Sequence, residues 1–180
     1  MKGGETDAVA DLLIRARAGD RLAFASLVRH YQRLVYSLAL RMLSDGHEAE
    51  DLAQEVFMQL HRRLDRIESD AHLLFWLRKV TTNLAIDRLR QERKAAILPL
   101  DEDPGIADEA REGDPLLQRK LRALVARLPA AARAVVLLRF QEDMDPTEIA
   151  EALDMSINTV KSHLRRSMAA LREGFPELAT

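Results

Sequence analysis

The spacing of helix-breaking residues constrains this chain more than any other feature. Seven Gly and six Pro occur in 180 residues, and they cut the sequence into long uninterrupted pieces at positions such as Gly19, Gly46, Pro115, Pro129 and Pro146. Within these pieces apolar residues recur at three- and four-residue steps, the period of a helix with one face turned to a core. The chain is therefore expected to be all-α.

One such piece runs from about Arg21 to Leu43, with Phe24, Leu27, Val28, Tyr31, Leu34, Val35, Leu38 and Met42 on one stripe. Gly19 and Asp20 read as the end of a first helix and the N-cap of this one, and Ser44-Asp45-Gly46 as its stop and the next start. A third helix carries Leu52, Val56, Phe57, Leu60 and Leu64. A fourth, opened by Ser69 or Asp70, carries Leu73, Leu77, Val80 and Leu84. Four such helices can share one bundle core.

Periodicity is lost between Ala95 and Asp114, where LPLDEDPGIADEAREGD holds seven acids against one Arg. Such a composition predicts a flexible acidic linker. Helical patterning returns with Leu116, Leu117, Leu121, Leu124 and Leu128, then with Val135, Val136, Leu138 and Phe140. The expected architecture is two small helical domains, residues 1–94 as a bundle and 115–180 as a four-helix domain, joined by a linker over 95–114.

Other classes are excluded by composition. No cysteine is present, so disulfide and Cys-based zinc scaffolds are impossible. No apolar run approaches the ~20 residues that span a bilayer, and the first residues lack a signal-peptide pattern. A cytoplasmic protein without membrane insertion is expected, with no cofactor or metal. The formal charge of −2 at first argues against nucleic acid, but the linker alone carries −6 and leaves +4 on the rest. The near-neutral total is a sum of separated patches.

The most specific local pattern is DPTEIAEALDMSINTVKSHLRRSMAAL, residues 145–171. Asp145, Pro146 and Glu148 form a capping box with Pro at the first helical position. Asp154 and Met155 make a turn, and Ser156 caps a second helix. Ile157, Val160, Leu164, Met168 and Leu171 form its expected buried stripe, leaving Asn158, Lys161, Ser162 and Arg165 on the opposite face. This is a helix-turn-helix pattern ending the second domain. Asn158, Thr159 and Ser162 can hydrogen-bond base edges or phosphates, and Lys161, Arg165 and Arg166 can neutralise backbone charge or bind guanine.

Two further faces bear on function. From Trp76 to Lys94, Lys79, Asn83, Asp87, Arg90 and Lys94 share one helical face near an aromatic ring, a combination suited to single-stranded nucleic acid or to a solvated helix with pairs such as Asp87–Arg90. The third helix opens with Asp45, Glu48, Glu50, Asp51 and Glu55. These acids suit a docking face for a basic partner, a solvated helix start, or, less readily, Mg²⁺ held by Glu48, Asp51 and Glu55 in a nucleotide hydrolase.

Taken in order, EDLAQEVFMQLHRRL, FWLRKVTTNLAIDRLRQ, the acidic linker, LPAAARAVVLLRF and TEIAEALDMSINTVKSHL resemble a bacterial RNA polymerase sigma factor of the extracytoplasmic-function class. The resemblance spans about Ala23 to Arg172. It implies binding rather than catalysis, with core RNA polymerase and promoter DNA as partners and an anti-sigma factor as a regulator. It further implies that Glu50, Asp51, Gln54, Glu55 and Phe57 dock on the polymerase clamp. Asp70, Ala71, His72 and Leu73 would take a flipped −10 base, Thr82, Asn83, Asp87 and Arg88 would guide the melted strand, and Asn158 to Arg166 would read the −35 duplex. The chain departs from many members in lacking an aromatic near Leu73 and in placing His163, Ser167 and Met168 where Arg is common. A stand-alone helix-turn-helix regulator is the alternative, though no dimerising heptad seam is evident.

Overall fold

The computed structural model of the protein describes residues 3–95 and 115–175. Among the described residues eight α-helices follow one another: α1 (Gly3–Arg17), α2 (Arg21–Leu43), α3 (Gly46–Arg63), α4 (Asp70–Ala95), α5 (Pro115–Ala126), α6 (Ala130–Phe140), α7 (Pro146–Ala152) and α8 (Ile157–Glu173). A 3₁₀ turn, Leu64–Arg66, follows α3. No strand occurs among the described residues. The expected acidic linker, 95–114, begins at Ala95, which is the last residue of α4; its remaining residues, 96–114, lie outside the described residues.

Helix boundaries lie where short polar side chains satisfy free backbone groups. The Asp20 carboxylate accepts from the amides of Leu22 and Ala23 at 2.9 and 3.1 Å, two of the donors that a helix start leaves without partners. Arg15 donates to the other carboxylate oxygen at 2.6 Å, and these bonds hold the Asp20 carboxyl below its ordinary range, the Arg15 contact most of all. α2 ends where Ser44 turns left-handed (φ 63°) and returns its N–H to Leu40. Asp45 then caps α3 through the Glu48 amide. Ser69 opens α4, its hydroxyl accepting from the His72 amide at 3.2 Å.

Leu27, Val35, Leu38 and Met42 of α2 meet Leu52, Val56 and Leu60 of α3 and Leu73 and Leu77 of α4, all fully buried. Among residues 115–175, Leu138, Met144, Ile149 and Val160 play the same part. The two sets form one continuous apolar cluster, because α6 packs on α2 and α4 and α7 packs on α4. Arg133 of α6, only 6% exposed, donates to the carbonyl of Met42 as well as to those of Ala126 and Leu128. Its guanidinium pKa is lowered, first by burial and then by nearby Arg93.

Several residues expected inside are outside. Leu116, Leu117 and Leu121 of α5, Phe140 at the end of α6 and Ile157 at the start of α8 are all exposed. Helical period places a residue on a face but does not say how much of that face a neighbour covers, and these residues lie at helix ends or on α5. Leu121 and Phe140 rim an unfilled apolar space of about 360 Å³ beside Leu40, Val136 and Met168.

Candidate nucleic-acid interface and acidic docking face

The helix-turn-helix forms as its sequence dictates. Asp145 accepts from the amides of Thr147 and Glu148 at 2.7 and 2.9 Å, while Glu148 accepts from the Asp145 amide at 2.8 Å, completing the reciprocal box. The donated amides, Glu148 first, hold the Asp145 carboxyl below its usual range. Asp154 takes the left-handed conformation (φ 50°) that a short polar side chain tolerates. Ser156 caps α8, bonding the Thr159 amide at 3.1 Å and the Thr159 hydroxyl at 2.8 Å.

Val160, Ser167 and Leu171 anchor α8, with Leu164 and Met168 half-buried beside them. Ser167 was no part of the expected stripe; it stands seven residues after Val160, two turns along the same face. Ile157, expected in the stripe, points outward. Asn158, Thr159, Lys161, Arg165 and Arg166 are exposed and Ser162 half-buried, so the polar set shares one accessible face. His163 sits half-buried at its edge, its pKa lowered by burial and then by Arg166.

The residues at the start of α4 are held by a local network. The Tyr31 hydroxyl donates to the Asp70 carboxylate, and the Tyr31 pKa is raised, first by burial and then by that bond. The His72 Nδ1 accepts from the Glu68 amide at 3.3 Å. Ala71 is exposed, but Leu73 lies fully inside the bundle. Thr82 is also buried, its hydroxyl donating back to the Arg78 carbonyl at 2.7 Å. Leu73 and Thr82 therefore shape this region from beneath and offer no surface to a base.

An open cleft of about 420 Å³ lies along α4, lined by Arg63, His72, Phe75, Trp76, Lys79 and Asn83, with Asp87 at its end. Arg63 and Phe75 were not singled out from sequence. Phe75 had a signal, since it precedes Lys79, Asn83 and Asp87 at steps of four. Arg63 comes from α3 and had none. Asp87 and Arg90 are exposed and 3.7 Å apart, an ordinary surface pair.

On α3 the acids divide into two groups. Arg88 of α4 donates to the Glu48 carboxylate at 2.9 Å, to the Glu48 carbonyl at 3.0 Å and to the Glu55 carboxylate at 3.1 Å. Arg88 thus faces α3, whereas resemblance set it beside Asp87 on the strand side. Glu50, Asp51 and Gln54 remain exposed, Phe57 is half-buried, and Met58, overlooked in the sequence, is exposed beside them. The Mg²⁺ arrangement fails on this geometry. A guanidinium stands between Glu48 and Glu55, and no group of three metal-ligating side chains occurs among the described residues.

An all-helical chain with a basic helix-turn-helix at one end and an acidic helix in its bundle is the arrangement of a sigma factor. Residues 27–95 match the family Sigma-70 region 2 and residues 118–171 match Sigma-70, region 4. The chain is 30% identical to the ECF RNA polymerase sigma factor SigW of Bacillus subtilis, over 91% of this chain and 95% of that protein. It is 32% identical to the ECF RNA polymerase sigma-E factor of Escherichia coli K12, covering 89% and 90%. The fold matches that of sigma factor RpoE of Bartonella quintana, solved with the anti-sigma factor NepR (TM-score 0.70, 20% identity, 85% of this chain and 96% of that one). It also matches CnrH, solved with the cytosolic domain of CnrY (TM-score 0.65, 21% identity, 92% and 96%).

The chain belongs to the extracytoplasmic-function class of sigma-70 factors. It is an alternative sigma factor that directs promoter-specific transcription initiation by RNA polymerase, acting by binding and not by catalysis. Membership displaces both the stand-alone regulator and the hydrolase readings. Among the described residues no helix is long and apolar enough to cross a membrane.

Proposed function

We propose a division of labour along the chain. Residues 1–94 dock on core polymerase and hold the melted −10 strand, 95–114 tether, and 115–180 read the −35 duplex. The exposed face of α8 carries this reading: Asn158, Lys161, Arg165 and Arg166 project from a helix whose opposite side is anchored by Val160 and Leu171. That disposition suits a helix laid in the major groove, with amides and guanidinium groups at base edges and the ammonium on phosphate. Thr159 serves its own helix cap and contributes through position more than through a free hydroxyl.

The −10 strand lies along the α4 cleft, where His72, Phe75 and Trp76 offer surfaces for stacking and Arg63, Lys79 and Asn83 offer donors. Asp70 and Ala71 directly precede His72 at the start of α4, and Leu73 and Thr82 lie buried behind the cleft. Arg88 steadies the acidic helix, from which Glu50, Asp51, Gln54, Glu55 and Phe57 meet a basic surface of the polymerase clamp. The protein works in the cytoplasm and is held inactive by an anti-sigma partner, consistent with the solved relatives.

Promoter-specific transcription with purified core polymerase tests the whole reading. Added to core, the chain confers initiation at a subset of promoters, and Glu50→Lys with Asp51→Lys abolishes both co-purification with core and initiation. If the double variant still binds core at wild-type strength, docking belongs to another surface.

A further inference from the structure

The face of α4 assigned to the strand is already occupied by the chain itself. Arg78 Nε donates to Glu142 at 3.0 Å, and the two side chains are 20% and 7% exposed. The next residue, Lys79, donates to the Glu151 carbonyl at 3.2 Å, and one turn on Asn83 donates to the Ala152 carbonyl at 3.1 Å. Both acceptors belong to the last turn of α7, where carbonyls have no further turn to bond and concentrate partial negative charge. They present to Lys79 and Asn83 what a phosphate oxygen and a base-edge acceptor would present. Glu151 also forms a wall of the α4 cleft.

We propose that α7 and the melted strand compete for one set of donors, with the Arg78–Glu142 pair as the latch that keeps the free chain closed. The proposal rests on the strand reading of α4 given above. Three features support it. Lys79 and Asn83 hold their side-chain ends against the last turn of α7, and Glu151 stands in the cleft itself, so a strand reaching the same donors has to displace α7. The latch lies outside the donors themselves, so closure can be altered while they stay intact. The exposed face of α8 takes no part in closure, since Asn158, Lys161, Arg165 and Arg166 stay open in the same structure. The closed chain therefore retains duplex binding and lacks strand binding, and its strand affinity is reduced by the fraction of molecules that are open.

The latch also explains why two groups so unlike their surroundings lie between the domains. Glu142 is buried at the end of α6, and Arg78 is the charge that faces it. A half-removed buried pair is strongly unfavourable, whereas the exchanged pair keeps its attraction. Changing one partner should open the chain, and exchanging both should close it again.

The experiment uses the full chain, with small-angle scattering for compactness and two probes, a fluorescent single strand of −10 sequence and a −35 duplex. Glu142→Arg is expected to enlarge the radius of gyration and to raise single-strand affinity about tenfold with duplex affinity unchanged. The exchange Arg78→Glu with Glu142→Arg is expected to restore the compact radius. Glu142→Gln, a milder change, keeps the test valid should the Arg variant misfold, as loss of duplex binding would reveal; it is expected to shift both readings the same way by a smaller amount. A variant that stays compact with unaltered strand affinity overturns the latch. A variant that expands with no gain in strand affinity overturns the competition and, with it, the assignment of Lys79 and Asn83 to the strand, while leaving the latch itself intact.

Discussion

Arg88 and Glu55 face each other across the α3–α4 seam, 3.1 Å apart, and the same guanidinium reaches Glu48 at 2.9 Å. One cation thereby fixes two turns of the acidic helix. Both carboxylates remain nearly half exposed, at 47% and 43% for Glu48 and Glu55, so solvent screens each attraction to no more than about 1 kcal/mol. Arg88→Ala should destabilise the chain by about 1–2 kcal/mol, including the lost bond to the Glu48 carbonyl. It should weaken binding to core polymerase and leave −35 duplex affinity unchanged. Arg88→Lys should recover little, because an ammonium cannot reproduce the fork. Urea unfolding and a core-binding titration measure the two effects; a loss of strand binding with intact core binding would return Arg88 to the DNA side.

The α8 face yields a salt-dependent prediction. Lys161→Ala with Arg165→Ala should weaken −35 duplex binding by about 2 kcal/mol and lower the slope of log affinity against log salt by about 1, the share of the Lys161 phosphate contact. The slope separates phosphate contacts from base contacts. An unchanged slope with weakened binding would assign both side chains to base edges.

His163 makes stability depend on pH. Its pKa lies below the ordinary 6.5, through burial and then Arg166, so just under that pH the unfolded chain binds more protons than the folded one. The favourable contribution is therefore complete above 6.5 and is lost as pH falls toward the folded value. His163→Gln should flatten this part of the profile, as followed by urea midpoints between about pH 7.5 and 5.5. A wild-type slope in the variant would place the titration on another group.

Arg133 is a buried cation bonded to carbonyls from three places, Met42, Ala126 and Leu128. Arg133→Leu keeps much of the volume but strands those acceptors, at a cost of about 2–4 kcal/mol. Arg133→Lys should rescue only part, since one ammonium cannot reach acceptors on both sides. Thermal unfolding decides this, and a leucine variant as stable as wild type would show that the carbonyls find other donors.

Much of the fold was legible in sequence because its signals are local. The caps at Asp20, Asp45, Asp145 and Ser156, the turns at Ser44 and Asp154 and the helix spans all follow from bonds between residues within four positions of each other. The exposed polar face of α8 was legible for the same reason, as a helix with one anchored stripe has only one opposite side. Ile157 was misplaced because it begins its helix, where periodicity alone does not say whether a neighbour arrives. Leu73 and Thr82 were placed on a DNA face by motif, though both are apolar or self-bonded enough to be drawn into the core. Arg63 could not have been grouped with Trp76, since only the crossing of α3 and α4 brings them to one cleft.

By itself, then, the sequence determined an all-helical sigma factor and the exposed polar face of α8, since periodicity, capping and motif order all act over short distances. Only the tertiary structure decided which partner each long polar side chain takes: Arg88 with the acids of α3, Asn83 and Lys79 with the end of α7, Arg78 with Glu142. Such side chains reach several ångströms and have many rotamers, so their partners depend on the angles at which distant helices cross, which no spacing along one helix encodes.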